Sequence, residues 1–174
     1  MKTEFTSADQ NGRDLFKHYC SHQSWCTVVK EATDDYSHWD IAYTSGSTMC
    51  IGEIKTRTYD STAFGDWDYE EKKHNALLEV HKKIKTKYPD KKVEIQYINI
   101  YKDEAVKIWT TTNIANEQQP IVQYRPATTL GNNTEITKKI YKCYSTKEAN
   151  KGMLNQMILV RPDTDEDEDD GLPF

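Results

Sequence analysis

Long apolar runs are missing from this 174-residue chain. Hydrophobic residues make up 36% and charged residues 29% of it, mean hydropathy is -0.87, and no stretch approaches the ~18 apolar residues of a membrane span. No membrane association is expected. Glycine is scarce, at seven residues, and no Walker-type or dinucleotide-binding glycine motif can be assembled from them. Nucleotide cofactors are therefore not expected. Cysteine is sparse too. Cys20, Cys26, Cys50 and Cys143 contain no CxxC pair and are too few for a disulfide scaffold, so they read as reduced thiols. Met1 to Phe5 lacks the apolar core of a secretory signal, which predicts a cytoplasmic protein. His18, Cys20, His22 and Cys26 lie close together, but their spacing matches no familiar zinc finger, and zinc is not expected there.

What is present is unevenly distributed charge. The formal net charge is -5, from 28 acids and 23 lysines and arginines. Seven of the acids (Asp163, Asp165, Glu166, Asp167, Glu168, Asp169, Asp170) sit near the end, leaving 21 acids against 23 basic residues in the body. Between Lys72 and Lys92 there are eight lysines, among them Lys72, Lys73, Lys82 and Lys83, against Glu79 and Asp90 alone. Such a positive surface suits a polyanion.

The pattern along the chain predicts one domain over residues 1–161 and a disordered acidic tail over 162–174. Leu15, Phe16 and Tyr19 predict an amphipathic helix over Asp9 to Cys20. Trp25 to Ala32 predicts a strand ended by Thr33-Asp34-Asp35. A hairpin of Trp39 to Thr44 and Thr48 to Arg57 follows, turning at Ser45-Gly46-Ser47, where glycine at the first central position suits a type II′ turn. A helix is predicted from Tyr69 to Tyr88, with Asp68 as N-cap and Glu71 three residues on. Leu77, Val80 and Ile84 form its buried stripe, which Lys73 extends by one turn. Val93 to Tyr101 and Ala105 to Thr112 read as a second hairpin. Residues 134–144 and 155–160 read as late strands, with loop between 113 and 133. The expected fold is α/β, a central mixed sheet flanked by helices with a β-rich C-terminal extension.

The chemistry concentrates in Trp39-Asp40-Ile41 and Gly52-Glu53-Ile54-Lys55-Thr56-Arg57. A two-residue turn at Gly46-Ser47 makes paired positions sum to 93, so Asp40 faces Glu53. Opposed side chains in an antiparallel pair have Cβ atoms about 5 Å apart, and like charges there are destabilising unless a cation lies between. A divalent metal meets that need. Mg2+ (or Mn2+) takes hard oxygen ligands and keeps waters, leaving room for a phosphate. Period-two alternation puts Lys55 and Arg57 beside Glu53, while Trp39, Ile41 and Tyr43 share the opposite, apolar face with Cys50 and Ile54. Lys55 is then placed to position a water or to stabilise charge on phosphorus, with Lys73 as a phosphate contact.

The Asp40, Glu53 and Lys55 spacing in this element order resembles the PD-(D/E)xK nuclease superfamily over roughly residues 9–101. Trp39 stands where the motif's proline would be. The resemblance implies a restriction-endonuclease-like αβββαβ core and a metal-dependent deoxyribonuclease acting in replication, repair or recombination. In it, Asp40 and Glu53 are metal ligands and Lys55 the catalytic lysine. It also implies an auxiliary acid near the first helix, for which Glu31 and Asp14 are the candidates, with Arg57 a further auxiliary. Lys72, Lys73, Lys82 and Lys83 are the expected DNA contacts. The ending, Gly171-Leu172-Pro173-Phe174 after an acidic run, resembles the C-terminal tip of bacterial single-stranded DNA-binding proteins. It implies that Pro173 and Phe174 dock on replication or repair proteins, in a bacteriophage or bacterial setting. The alternative is a non-catalytic single-stranded DNA binder built as an aromatic-lined barrel, for which 11 tyrosines and four tryptophans would supply stacking surfaces.

Overall fold

The computed structural model describes residues 4–32, 37–112, 121–126, 136–145 and 150–153. The expected turn at 33–35, strand at 155–160 and tail at 162–174 lie outside them. Helix α1 (Glu4–Ser21) begins earlier than the periodicity suggested. It buries Phe16, Tyr19 and Cys20 along one stripe, as amphipathic spacing requires. The chain then reverses within a few residues into β1 (Cys26–Glu31), through hydrogen bonds from His22 N to Tyr19 O and from Gln23 N to Cys20 O, both 3.0 Å. This reversal brings Cys20 and Cys26 within 5.2 Å between Cα atoms, and they form a disulfide. The expectation of four reduced thiols is corrected for this pair. Reversal at a helix end brings cysteines six apart together, which a search for CxxC does not detect. Cys50 is buried and lies outside that disulfide.

Strands β2 (Ile41–Ser45) and β3 (Thr48–Thr56) form the expected hairpin. Ser45 pairs with Thr48 and Ile41 with Gly52, so the predicted register holds. Gly46 has φ of +56°, the left-handed value that the first central residue of a II′ turn needs. Strand β4 (Asp66–Glu70) and helix α2 (Glu71–Lys87) form the crossover to β5 (Val93–Ile100). Strand β5 lies parallel to β3, with Glu53 beside Tyr97 and Lys55 beside Asn99. It pairs antiparallel with β6 (Ala105–Thr110).

Three findings differ from the sequence reading. Asp68 is not the N-cap of α2, because residues 66–70 pair as a strand with β8 (Ile136–Ser145), and the cap is Glu70 without a side-chain bond. The segment read as loop contains β7 (Ile121–Pro126), paired with β8, so neighbours far along the chain decide its state. A short β9 (Asn150–Met153) covers the edge of β6.

The result is an α/β fold with a β-rich C-terminal part. A mixed six-stranded sheet runs β1-β2-β3-β5-β6-β9, and a three-stranded sheet runs β4-β8-β7. This open sheet with two long helices is unlike the barrel of the alternative reading. On one face of the large sheet α1 packs over Ile41, Tyr43, Cys50, Ile54, Ile98 and Ile108. On the other, Leu77 of α2 joins Ile51, Tyr69, Ile95, Tyr97 and Trp109. Trp39 packs on this second side, against expectation, because it precedes β2 and strand alternation no longer governs it. Among the described residues no helix is long and apolar enough to cross a membrane.

Candidate active site

The hairpin register carries one step past the end of β2. The backbone N–H of Asp40 donates to Gly52 O at 2.9 Å. Beyond that point the Asp40 side chain replaces the missing strand, and its Oδ2 accepts the Ile54 N–H at 2.7 Å. The carboxylate is thereby fixed at the start of β2 on the side of Glu53.

Glu53 lies in the middle of β3 with its side chain 1% exposed. Two ammonium groups hold it. Lys55 Nζ is 2.8 Å from Oε1, and Lys73 Nζ, from the first turn of α2, is 3.2 Å from Oε2. The Lys73 contact is an ion pair only, since the buried Oε2 accepts no hydrogen bond of proper geometry. A buried carboxylate oxygen without a donor is costly. It is also what a metal ion could satisfy.

Electrostatics bear the geometry out. Burial first, and then the Glu53 charge, push the Asp40 carboxyl from 3.8 up to about 6, against the opposing pull of the Ile54 N–H, Lys55 and Lys73. Burial works against the Lys55 charge, but Glu53, Tyr97 and Asp40 outweigh it and raise the pKa of the ammonium. Lys55 is thus a fixed cation at neutral pH and not a proton acceptor.

Two carboxylates, one with a buried oxygen that accepts no hydrogen bond, fit a hydrated divalent ion, to which a protein characteristically contributes one or two acids. Among the described residues no cluster of three or more His, Cys, Asp or Glu is arranged to hold a metal, so backbone carbonyls, water and substrate would complete the shell.

The remaining expected residues fall into separate places. Asp14 and Glu31 do not join Asp40 and Glu53. Lys17 bridges them at 2.8 and 3.0 Å, and Gln10 contacts both. This cluster sits with α1 on the opposite face of the sheet, since Glu31 turns toward that helix. Arg57 stays on the Glu53 face without touching it. Its Nε donates to Asn99 Oδ1 at 3.0 Å and its Nη2 to Tyr97 Oη at 3.2 Å. Along α2, Lys72, Lys82 and Lys83 are exposed. At about 100° per residue, Lys72 and Lys83 share one line and Lys82 lies about 180° from Lys73. His74 is buried against Tyr69, with ring centroids 5.2 Å apart.

Tyr97 and Asn99 were not anticipated from sequence. Tyr97 is 4% exposed, directly beside Glu53, with its hydroxyl pKa raised by burial. Only the parallel pairing of β3 with β5 brings them here, and that pairing is set by the crossover and not by any local pattern.

No protein-family model matches the chain, and no curated protein matches it. Among solved structures it is similar to a Holliday junction resolvase from the archaeal hyperthermophile Archaeoglobus fulgidus. The two share 13% identity and a TM-score of 0.42, over 58% of this chain and 73% of that one.

Proposed function

We propose that this chain is a metal-dependent deoxyribonuclease of the PD-(D/E)xK type, acting in replication, repair or recombination. The observation that carries the reading is the buried Glu53, paired with Lys55 at one oxygen and ion-paired without a hydrogen bond to Lys73 at the other, beside an Asp40 held in register by the Ile54 N–H. Asp40 and Glu53 would hold Mg2+ (or Mn2+). When bound, the ion polarises a phosphoryl oxygen and lowers the pKa of its water.

The chain's own residues do the rest. Lys55, a permanent cation on a central strand, orients the attacking water and stabilises charge that builds on phosphorus. Lys73 meets a phosphate oxygen from the helix side. Lys72 and Lys83, in one line on the outer surface of α2, hold the DNA backbone through charge. Arg57, Tyr97 and Asn99 fix the floor of the site next to Glu53.

The test is cleavage of plasmid and branched DNA by the purified full chain with added Mg2+, with and without EDTA. Asp40→Asn and Lys55→Met should each remove activity while leaving circular dichroism unchanged. Persistent cleavage in both variants, or equal cleavage in EDTA, would overturn the assignment.

A further inference from the structure

Of the described residues, Val29, Phe64 and Tyr88 are the large hydrophobic side chains left exposed. Val29 lies at the bulge of the edge strand β1, and the Lys87 ammonium covers the Tyr88 ring at 5.1 Å. Phe64 differs from both. It is 57% exposed, on the loop of residues 57–65 that leaves β3 directly after Glu53, Lys55 and Arg57.

That loop is held firmly. Ser61 donates through N and Oγ to Asp103 Oδ2 at 3.1 and 2.8 Å. The buried Lys107 donates to Ser61 O at 2.6 Å, and Lys102 N donates to Tyr59 O at 3.2 Å. Phe64 stands edge-on to Tyr59, with centroids 4.9 Å apart, and Tyr59 lies 5.9 Å from Tyr101. The Tyr101 hydroxyl accepts from Asn99, which accepts from Arg57, which reaches Tyr97 beside Glu53. A chain of contacts, buried at Tyr97, Asn99 and Tyr101, therefore links the carboxylate pair to an exposed ring. Tyr97 on β5 and Tyr101 just past its end are four residues apart, about 13 Å of extended chain, or roughly four base-pair rises of stacked duplex.

Resting on the proposed nuclease reading, we infer that the Phe64–Tyr59 pair is a stacking platform for an unpaired base of the bound polynucleotide, a few nucleotides from the site of cleavage. The occupant follows from what surrounds the rings. Lys55, 43% exposed, and Arg57 are the cations on the stretch of chain between Glu53 and the rings, where a polyanion would be met by positive charge. The loop itself carries an exposed Asp60, and the Asp103 carboxylate that faces it from the β5–β6 turn is already engaged by Ser61, so the loop's contribution is the flat apolar ring and not charge. Aromatic side chains take bases of any identity, because every base has a π-face. The substrate class is then DNA with a single-stranded portion, such as a flap, a fork or a frayed end.

The experiment uses the full chain carrying Asp40→Asn, so that bound DNA is not cut, and single-stranded oligonucleotides with 2-aminopurine placed at successive positions. Stacking predicts fluorescence quenching confined to one or two positions. Phe64→Ala should remove that quenching and weaken binding about tenfold without changing the salt dependence, and Phe64→Trp should restore both. Binding with an unchanged quenching profile in Phe64→Ala overturns the platform, as does absence of oligonucleotide binding. Cleavage by the wild-type chain, assayed in parallel, separates the two ideas. Localised quenching without any cleavage would refute the nuclease reading and leave the platform standing.

Discussion

Replacing Asp40 with asparagine should abolish activity and at the same time stabilise the protein at neutral and alkaline pH. Burial and the Glu53 charge push the Asp40 carboxyl up to about 6 in the folded chain from its ordinary value of 3.8. The folded state therefore holds a proton more tightly than the unfolded state, and folding is opposed by ionisation of this group. Below pH 3.8 the carboxyl is neutral in both states and the cost is absent. It grows between 3.8 and about 6 and is complete above that. The separation corresponds to about 3 kcal/mol at pH 8. Asparagine carries no charge, and its side-chain oxygen can still accept the Ile54 N–H that Asp40 now accepts at 2.7 Å. With a urea m-value of about 2 kcal/mol/M, the midpoint for Asp40→Asn should rise by about 1.5 M at pH 8. At pH 4 the difference should nearly vanish. Equal midpoints at pH 8, or the same difference at both pH values, would refute this account of Asp40 as a strained ligand.

Cleavage in excess Mg2+ should rise through about pH 6 as Asp40 loses its proton, and a profile flat from pH 5 to 8 would count against Asp40 as the titrating ligand. Reducing the Cys20–Cys26 disulfide, which closes a loop of sequence separation six, should lower stability by about 2 kcal/mol, read as a shift in urea midpoint that Cys26→Ser reproduces. Lys72→Ala and Lys83→Ala should each lower the salt dependence of DNA binding by about one ion and weaken all sequences alike, as measured by fluorescence anisotropy across salt concentrations. Lys55→Met should lower kcat about a hundredfold, whereas Lys73→Met, acting through phosphate contact, should mainly raise KM. Single-turnover kinetics separate the two, and the reverse pattern would exchange their roles.

The part of the site legible in sequence is the part fixed by a two-residue turn. Once Gly46 takes the left-handed conformation, every pairing in the β2–β3 hairpin is determined, and Asp40 must arrive beside Glu53 on the face of Lys55. Lys73 was legible for a similar reason. Helical period places it one turn before Leu77, on the side of α2 that meets the sheet. Local rules failed where distant chain segments decide. Residues 66–70 alternate acids with Trp67 and Tyr69, a period-two signal that the acid spacing of a helix cap obscured, and the strand forms because β8 pairs with it. Arg57, Tyr97 and Asn99 become neighbours only when β5 lies parallel to β3. Trp39 shows the limit of alternation, which holds inside a paired strand and ends one residue or two beyond it.

The charge balance of the site explains why both lysines are present. Burying a carboxylate is costly unless it is paired, and at 1% exposure each Glu53 oxygen has an ammonium nearby. Lys55 stands on the rigid central strand, 2.8 Å from Oε1, and its raised pKa keeps it charged. Lys73 extends from a helix on a long side chain, and its ion pair with Oε2 lacks hydrogen-bond alignment. The two contacts are therefore unequal in strength. Were a divalent ion held here, Asp40 and Glu53 would be the residues to hold it, and Lys73, the weaker of the two partners, would be the ammonium left to meet a phosphate. Lys55 would stay in place at Oε1. Glu53 thus holds Lys55 firmly at one oxygen and Lys73 more loosely at the other, and the asymmetry follows from placing one partner on strand β3 and the other on helix α2.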